Sequence, residues 1–158
     1  MIPNEKFKFE VKPEGGSTRI TLKGVIDEDT DFEALKKTGA PALVVNFKGV
    51  TSINSCGIRT WVNFVKELQS TPIQYEECPP LVVRQMNMVP SFVGHAKVSS
   101  AFVPYVCDNC ETEKLVLVPA KDFGNGNPNI PETLKCESCG EGEMEIDGNP
   151  KQYFAFAK

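Results

Sequence analysis

Two Cys-x-x-Cys pairs constrain this chain more than any other feature of its sequence. Cys107-Asp-Asn-Cys110 and Cys136-Glu-Ser-Cys139 are separated by 25 residues. Two residues between cysteines let both sulfurs reach one ion, and two such pairs supply four thiolates to a tetrahedral site at about 2.3 Å. Four soft ligands leave no position for water, so the pattern points to a structural Zn2+ rather than a catalytic one. Gly140, directly after the second pair, gives the backbone room to turn. Two disulfides, idle thiols or a redox dithiol are the alternative readings, and an iron–sulfur cluster has less support.

The surroundings of the cysteines favour metal. The start of the chain, Met1-Ile-Pro-Asn-Glu-Lys-Phe-Lys, has no apolar stretch and no small-residue cleavage site. A secretory signal is therefore not expected, the protein is read as cytoplasmic, and cysteines in that setting bind metal or catalyse more often than they pair. No apolar run reaches the roughly 18 residues of a membrane-spanning helix, so direct membrane insertion is not expected. Charge is uneven. Residues 1–106 carry 12 basic and 11 acidic side chains, whereas residues 107–158 carry 5 basic and 10 acidic ones. An acidic segment is a poor phosphate binder, which disfavours nucleic acid as its partner.

The first 106 residues alternate between strand and helix signals. Lys6 to Val11 and Thr18 to Ile26 alternate polar and apolar around the turn signal Gly15-Gly16-Ser17, and so read as a hairpin. A short helix follows from Asp27 and stops at Gly39. Ala42 to Phe47 is a near-continuous apolar run, suited to a parallel strand buried on both faces, and Lys48 to Asn54 reads as a loop. The clearest helix spans about Ser55 to Gln69, with Ile58, Trp61, Val62, Val65 and Leu68 at spacings of three and four. Ile73 to Cys78 reads as a strand, and Leu81 to Met88 as a helix opened by Pro79-Pro80. Val98 to Val106 reads as one closing strand. The order β-β-α-β-α-β-α-β implies a mixed sheet covered by helices.

Residues 107–158 differ. Lys114 to Val118 reads as a short strand and Phe123 to Pro131 as a loop. Glu143 to Ile146 and Gln152 to Ala157 read as a closing hairpin around Asp147-Gly-Asn-Pro150. So small a segment has a thin core and needs a staple. Its cysteine pattern resembles a zinc ribbon over about residues 105–158, and the acidity favours a protein-facing or purely structural role. The chain thus divides into an α/β domain over 1–106 and a small β zinc-ribbon domain over 107–158. No Gly/Pro-rich linker separates them, so the second is expected to pack on the first.

The segment Asn54-Ser55-Cys56-Gly57 stands between a strand and the clearest helix. Free amides and the positive end of the helix dipole favour an anion there, and a phosphoryl group on Ser55 would be tolerated. The plainer reading makes Asn54 or Ser55 an N-cap and Gly57 a relief of crowding. Leu43-Val-Val-Asn-Phe-Lys-Gly-Val-Thr-Ser-Ile-Asn-Ser-Cys-Gly-Ile-Arg-Thr-Trp resembles the core of a STAS domain, the family of bacterial anti-sigma factor antagonists. STAS domains also occur in sulfate transporters and lipid-transport complexes. The resemblance covers about residues 5–106 and agrees with the element order. It implies a STAS-like mixed sheet and a non-enzymatic protein-binding module whose partner is a kinase-type anti-sigma factor or another signalling protein. The family's loop reads Asp-Ser-Ser/Thr-Gly, and a kinase-type partner phosphorylates a hydroxyl in it to break the complex. Here Asn54 stands at the Asp position and Cys56 at the second hydroxyl position. Ser55 is therefore the phosphoacceptor candidate, and Thr51, Ser52, Asn54, Ser55, Cys56 and Gly57 are the partner-binding candidates. A cytoplasmic STAS accessory subunit of a membrane transporter, of the lipid-type ABC class, is one alternative. A redox sensor using Cys56 or a Cys-x-x-Cys pair is another.

The remaining residues have plainer roles. Trp61 lies on the apolar helix face and reads as core. Cys78 reads as a small buried hydrophobe. A Cys56–Cys78 disulfide would need close Cα atoms, which sequence does not show. His95, the sole histidine, reads as a loop residue outside the metal site. It supports no Ser-His-Asp constellation, and no phosphate-binding glycine loop is present. Met86, Met88, Val89 and Phe92 are either core or an adaptable docking patch.

Overall fold

The computed structural model describes residues 6–36, 39–124 and 127–157. Met1 to Glu5 at the start of the chain lie outside the described residues, as do Lys37 and Thr38 before Gly39, Asn125 and Gly126 in the 123–131 loop, and Lys158.

Two sheets organise the chain. The first has the order β1 (Phe7–Glu14), β2 (Ser17–Ile26), β3 (Leu43–Ile53), β4 (Ile73–Glu76), β5 (Lys97–Val98). The expected hairpin is present: β1 pairs antiparallel with β2, turning at Gly15, whose φ of +64° suits glycine. The later pairings are parallel, with α1 (Glu33–Lys36), α2 (Ser55–Glu67) and α3 (Pro80–Met88) in the crossovers. This is a mixed α/β, STAS-like architecture.

Alternation decides what each strand buries. Ile20 and Leu22 of β2, Val45 and Phe47 of β3, and Tyr75 of β4 are fully buried. Helix α2 turns Trp61, Phe64 and Val65 inward, so Trp61 is core. Its ring meets Phe32 and Phe47 edge-on at 5.1 and 5.4 Å, an arrangement that aromatic quadrupoles favour. The polar atoms buried with these rings are satisfied in a chain. Trp61 Nε1 donates to Tyr75 Oη at 3.0 Å, and the Tyr75 hydroxyl donates to the Phe92 carbonyl at 2.6 Å.

Several sequence expectations need correction. Residues 48–53 are not a loop, because β3 runs through Ile53 and its ladder with β2 continues to Ile26↔Ile53 past two irregularities. The run in β3 is buried on both faces as expected, and its one polar member is satisfied there. Asn46 is buried and donates through Nδ2 to Glu76 at 2.8 Å, and Arg19 Nε pairs with Glu76 at 3.0 Å. The strand expected over 98–106 is two strands. β5 ends at Val98, and β6 (Ser100–Cys107) belongs to the second sheet. The sheet changes at Ser99, because β6 finds antiparallel partners in β7 (Glu113–Pro119) and β9 (Glu143–Ile146).

The second sheet has the order β7-β6-β9-β8, with β8 spanning Thr133–Lys135. Main-chain bonds join the sheets at Cys78: its N–H donates to Ser100 O at 3.2 Å, and Phe102 N–H donates to Cys78 O at 2.8 Å. The expected hairpin strand at 152–157 is instead α4 (Pro150–Tyr153) followed by a 3-10 turn over Ala155–Ala157. Asn149 caps α4 and Pro150 occupies its first turn, a combination that starts a helix. This tail packs on α3. Asn87 donates to the Tyr153 carbonyl at 3.0 Å and accepts from Phe156 N–H at 2.8 Å. Phe123, Phe154 and Phe156 form a small aromatic cluster beside it.

Candidate metal centre and the loop before the second helix

The four cysteines of the two pairs converge. Each Sγ lies within 4.8 Å of the others. Cys107 and Cys139 approach to 3.8 Å, and Cys110 and Cys136 to 3.6 Å. Ligands about 2.3 Å from a tetrahedral ion stand about 3.8 Å from each other, so the sulfurs are spaced to hold one ion.

The second sheet creates this convergence. β6 delivers Cys107 at its C-terminal end, and the β8–β9 hairpin carries Cys136 and Cys139 in its turn. The Cys107↔Met144 register sets the two knuckles face to face. Backbone N–H groups point at the sulfurs: Asn109 and Cys110 at Cys107 (3.3 and 3.4 Å), and Gly142 at Cys139 (3.4 Å). Gly140 and Glu111 adopt left-handed φ values of +71° and +63° just after each knuckle. Gly142 is required by space. A Cβ there would stand 2.3 Å from Cys107 Sγ and 2.8 Å from Asn109 Cβ.

Protonation preferences at Cys110, Cys136 and Cys139 oppose one another. The Asn109 amide and the backbone N–H groups of Glu141 and Gly142 bring Cys139 down to about 6. The Thr112 hydroxyl, 3.0 Å away, lowers Cys110. Cys136 is pulled down by the Cys139 backbone N–H yet pushed up to about 11 on balance, by burial and the crowding sulfurs of Cys110 and Cys107. Cys139 and Cys110 thus favour the thiolate, and Cys136 favours the thiol. A divalent cation removes that opposition, so the donor set fits a metal ion.

The other candidate site surrounds the N-terminus of α2. Asn54 is the N-cap: its Oδ1 accepts from Gly57 N–H at 2.8 Å. Its Nδ2 donates to Glu28 at 2.9 Å, tying the loop to the acidic turn after β2. Ser55 and Cys56 open the helix and are exposed, whereas Gly57 is buried. A Cβ at Gly57 would come within 2.3 Å of the Ile26 carbonyl, so glycine lets α2 approach the end of β2. Thr51 and Ser52 are exposed at the end of β3 rather than in a loop. Five of the six loop candidates, Thr51, Ser52, Asn54, Ser55 and Cys56, are thus exposed, Asn54 is bonded to Glu28, and Gly57 is covered.

Cys56 and Cys78 are both free, one exposed and one buried. Burial pushes the Cys78 thiol far above its ordinary value, leaving a packing group. His95 donates through Nε2 to the Thr71 carbonyl, 2.9 Å away, and is not among the four converging cysteines. Met86 and Phe92 are buried, and Met88 is exposed. Sequence reading missed Asn109, Thr112, Gly142 and Glu28. The Gly-x-Gly after Cys139 was a visible signal for Gly142, whereas nothing local marks Glu28 as the partner of Asn54.

No family model matches this chain, and no curated protein matches it. Among solved structures it resembles the crystal structure of an anti-sigma factor antagonist from Mycobacterium paratuberculosis, with 17% identity and a TM-score of 0.50. The likeness covers 62% of this chain and 89% of that one. At that identity it concerns the fold: the α/β part of this protein is STAS-like, and more than a third of the chain lies outside the likeness.

Proposed function

We propose that this protein is a non-enzymatic regulatory module that binds another protein through the rim formed by Thr51, Ser52, Asn54, Ser55, Cys56 and the N-terminal end of α2. The observation that carries the reading is the division of α2. Trp61, Phe64 and Val65 commit its body to the core, while Ser55 and Cys56 are exposed beyond what the cap requires. Resemblance to an anti-sigma factor antagonist supports a signalling protein, such as a kinase-type anti-sigma factor, as the partner. The four cysteines hold a structural Zn2+ that staples the second sheet, in a cytoplasmic protein of two packed domains.

Ser55 is the switch in this reading. Phosphorylation adds about two negative charges at the helix N-terminus. The helix dipole tolerates them, but Glu28 stands hydrogen-bonded to the neighbouring Asn54. Burying that charge in a close-packed interface beside another carboxylate weakens the complex. The test is affinity capture from the native host with wild type, Ser55→Asp and Ser55→Ala. A signalling protein held by wild type and Ser55→Ala but lost by Ser55→Asp supports the switch. A set of partners unchanged by Ser55→Asp overturns it and leaves a constitutive adaptor.

A further inference from the structure

Four strand edges border the two sheets, and three are protected. β5 has two residues and β8 has three. β1 is longer but carries Lys8, Lys12 and Pro13 along its length. Short strands, lysines and proline are the usual means of keeping an edge from pairing with another chain. β7 has none of them in its centre. It runs for seven residues, Glu113-Lys-Leu-Val-Leu-Val-Pro119, and pairs with β6 on one side. Leu115 and Leu117 are 43% and 46% exposed, two of only four large hydrophobics so exposed among the described residues.

The ladder fixes which main-chain groups β7 leaves free. Pro104 O accepts from Asp147 N–H and Phe102 N–H donates to Cys78 O, so both residues turn their polar groups away from β7. Their partners across the ladder are Leu115 and Leu117. In an antiparallel ladder such residues form the non-hydrogen-bonded pairs. The N–H and C=O groups of Leu115 and Leu117 therefore point outward from the free edge.

We infer that β7 is the contact strand of a two-fold homodimer, pairing antiparallel with β7 of a second copy about Val116. That register sets Leu115 opposite Leu117 of the second copy, and Leu117 opposite its Leu115. Both are outward-facing positions, so each pair exchanges two N–H···O bonds. Glu113 N–H adds one to each Pro119 carbonyl, for about six bonds in all. The four leucines share one face of a sheet continuous through both copies. The two charges in the strand, Glu113 and Lys114, fall opposite Pro119 and Val118, so no like charges meet. A register centred on Leu115 would place Glu113 against Leu117. This self-complementarity under a two-fold axis selects a second copy over an unrelated strand. The contact lies on the second sheet, apart from the α2 rim, and a dimer presents two such rims.

The test is sedimentation equilibrium of the full, metal-loaded chain from micromolar to near-millimolar concentration. Wild type is expected to dimerise reversibly. Leu115→Lys/Leu117→Lys sets lysine against lysine at both pairs and should weaken association by at least tenfold. Leu115→Glu/Leu117→Lys sets glutamate against lysine at both pairs and should recover much of it. Circular dichroism and metal content check that both variants fold. A wild-type monomer throughout the range overturns the inference and leaves β7 for a strand of another protein. A dimer indifferent to Leu115→Lys/Leu117→Lys also overturns it, and failure of the Glu/Lys variant to recover overturns the register.

Discussion

The first sheet and the second solve the same problem by different means. Around the first, Phe32, Phe47, Trp61, Phe64, Tyr75 and Phe92 lie fully or nearly fully buried and in mutual contact, and even the indole N–H is satisfied within the cluster. The second sheet has a smaller apolar filling, chiefly Val103, Tyr105, Met144 and the Phe123–Phe154 pair. Four cysteines close its far end. A large interior offsets chain entropy chiefly by burial, whereas a small one gains more from a cross-link, which a metal on the four cysteines would supply. The seam between them uses both kinds of contact: main-chain bonds at Cys78 and the packing of the C-terminal tail against α3.

Metal removal is the severest way to break this contrast. Structural zinc sites contribute about 10–16 kcal/mol in small domains that depend on them. Cys136→Ser, or treatment with a strong chelator, should abolish hydrogen-exchange protection in β8 and β9 while leaving β3 and α2 protected. If β3 and α2 lose protection as well, the two sheets stand or fall together.

Trp61→Ala attacks the other side of the comparison. Removing a fully buried indole that also donates to Tyr75 should cost about 3–5 kcal/mol. Chemical denaturation would measure the loss, and the folded variant should still bind one equivalent of metal. A variant without metal would show that the second sheet leans on the first.

Two glycines sharpen the distinction at smaller scale. Gly57→Ala drives a Cβ into the Ile26 carbonyl, and Gly142→Ala drives one into Cys107 Sγ. Each should cost about 1–3 kcal/mol. The first should lower the unfolding temperature with metal affinity unchanged. The second should lower metal affinity in a chelator competition. Asn54→Ala should have the smallest effect, about 1 kcal/mol for the lost cap on Gly57 N–H. Thermal unfolding would register it, and a much larger loss would mean that the bond to Glu28 does more than tether the loop.

Sequence alone determined features whose cause lies within a few residues. The Cys-x-x-Cys spacing marked the four cysteines whose sulfurs converge, because a knuckle is built locally. The three-and-four spacing specified α2 and placed Trp61 inside, and Gly15-Gly16 specified the hairpin turn. The STAS-like layout was legible because each strand and crossover helix carries its own period. The tertiary structure decided what depends on contacts between distant segments. β6 joined the second sheet because β7 and β9 offered it antiparallel partners, and no residue between Val98 and Cys107 announces that choice. Asn149 and Pro150 start α4 locally, but where residues 150–157 dock was decided by Asn87 of α3 and by the phenylalanine cluster. Gly142 is fixed by a sulfur 35 residues away, and Asn54 by Glu28 from the preceding crossover. Period and ligand spacing are properties of a short stretch of chain. Which edge stays free, and which atoms press on a given Cα, exist only once distant segments have met.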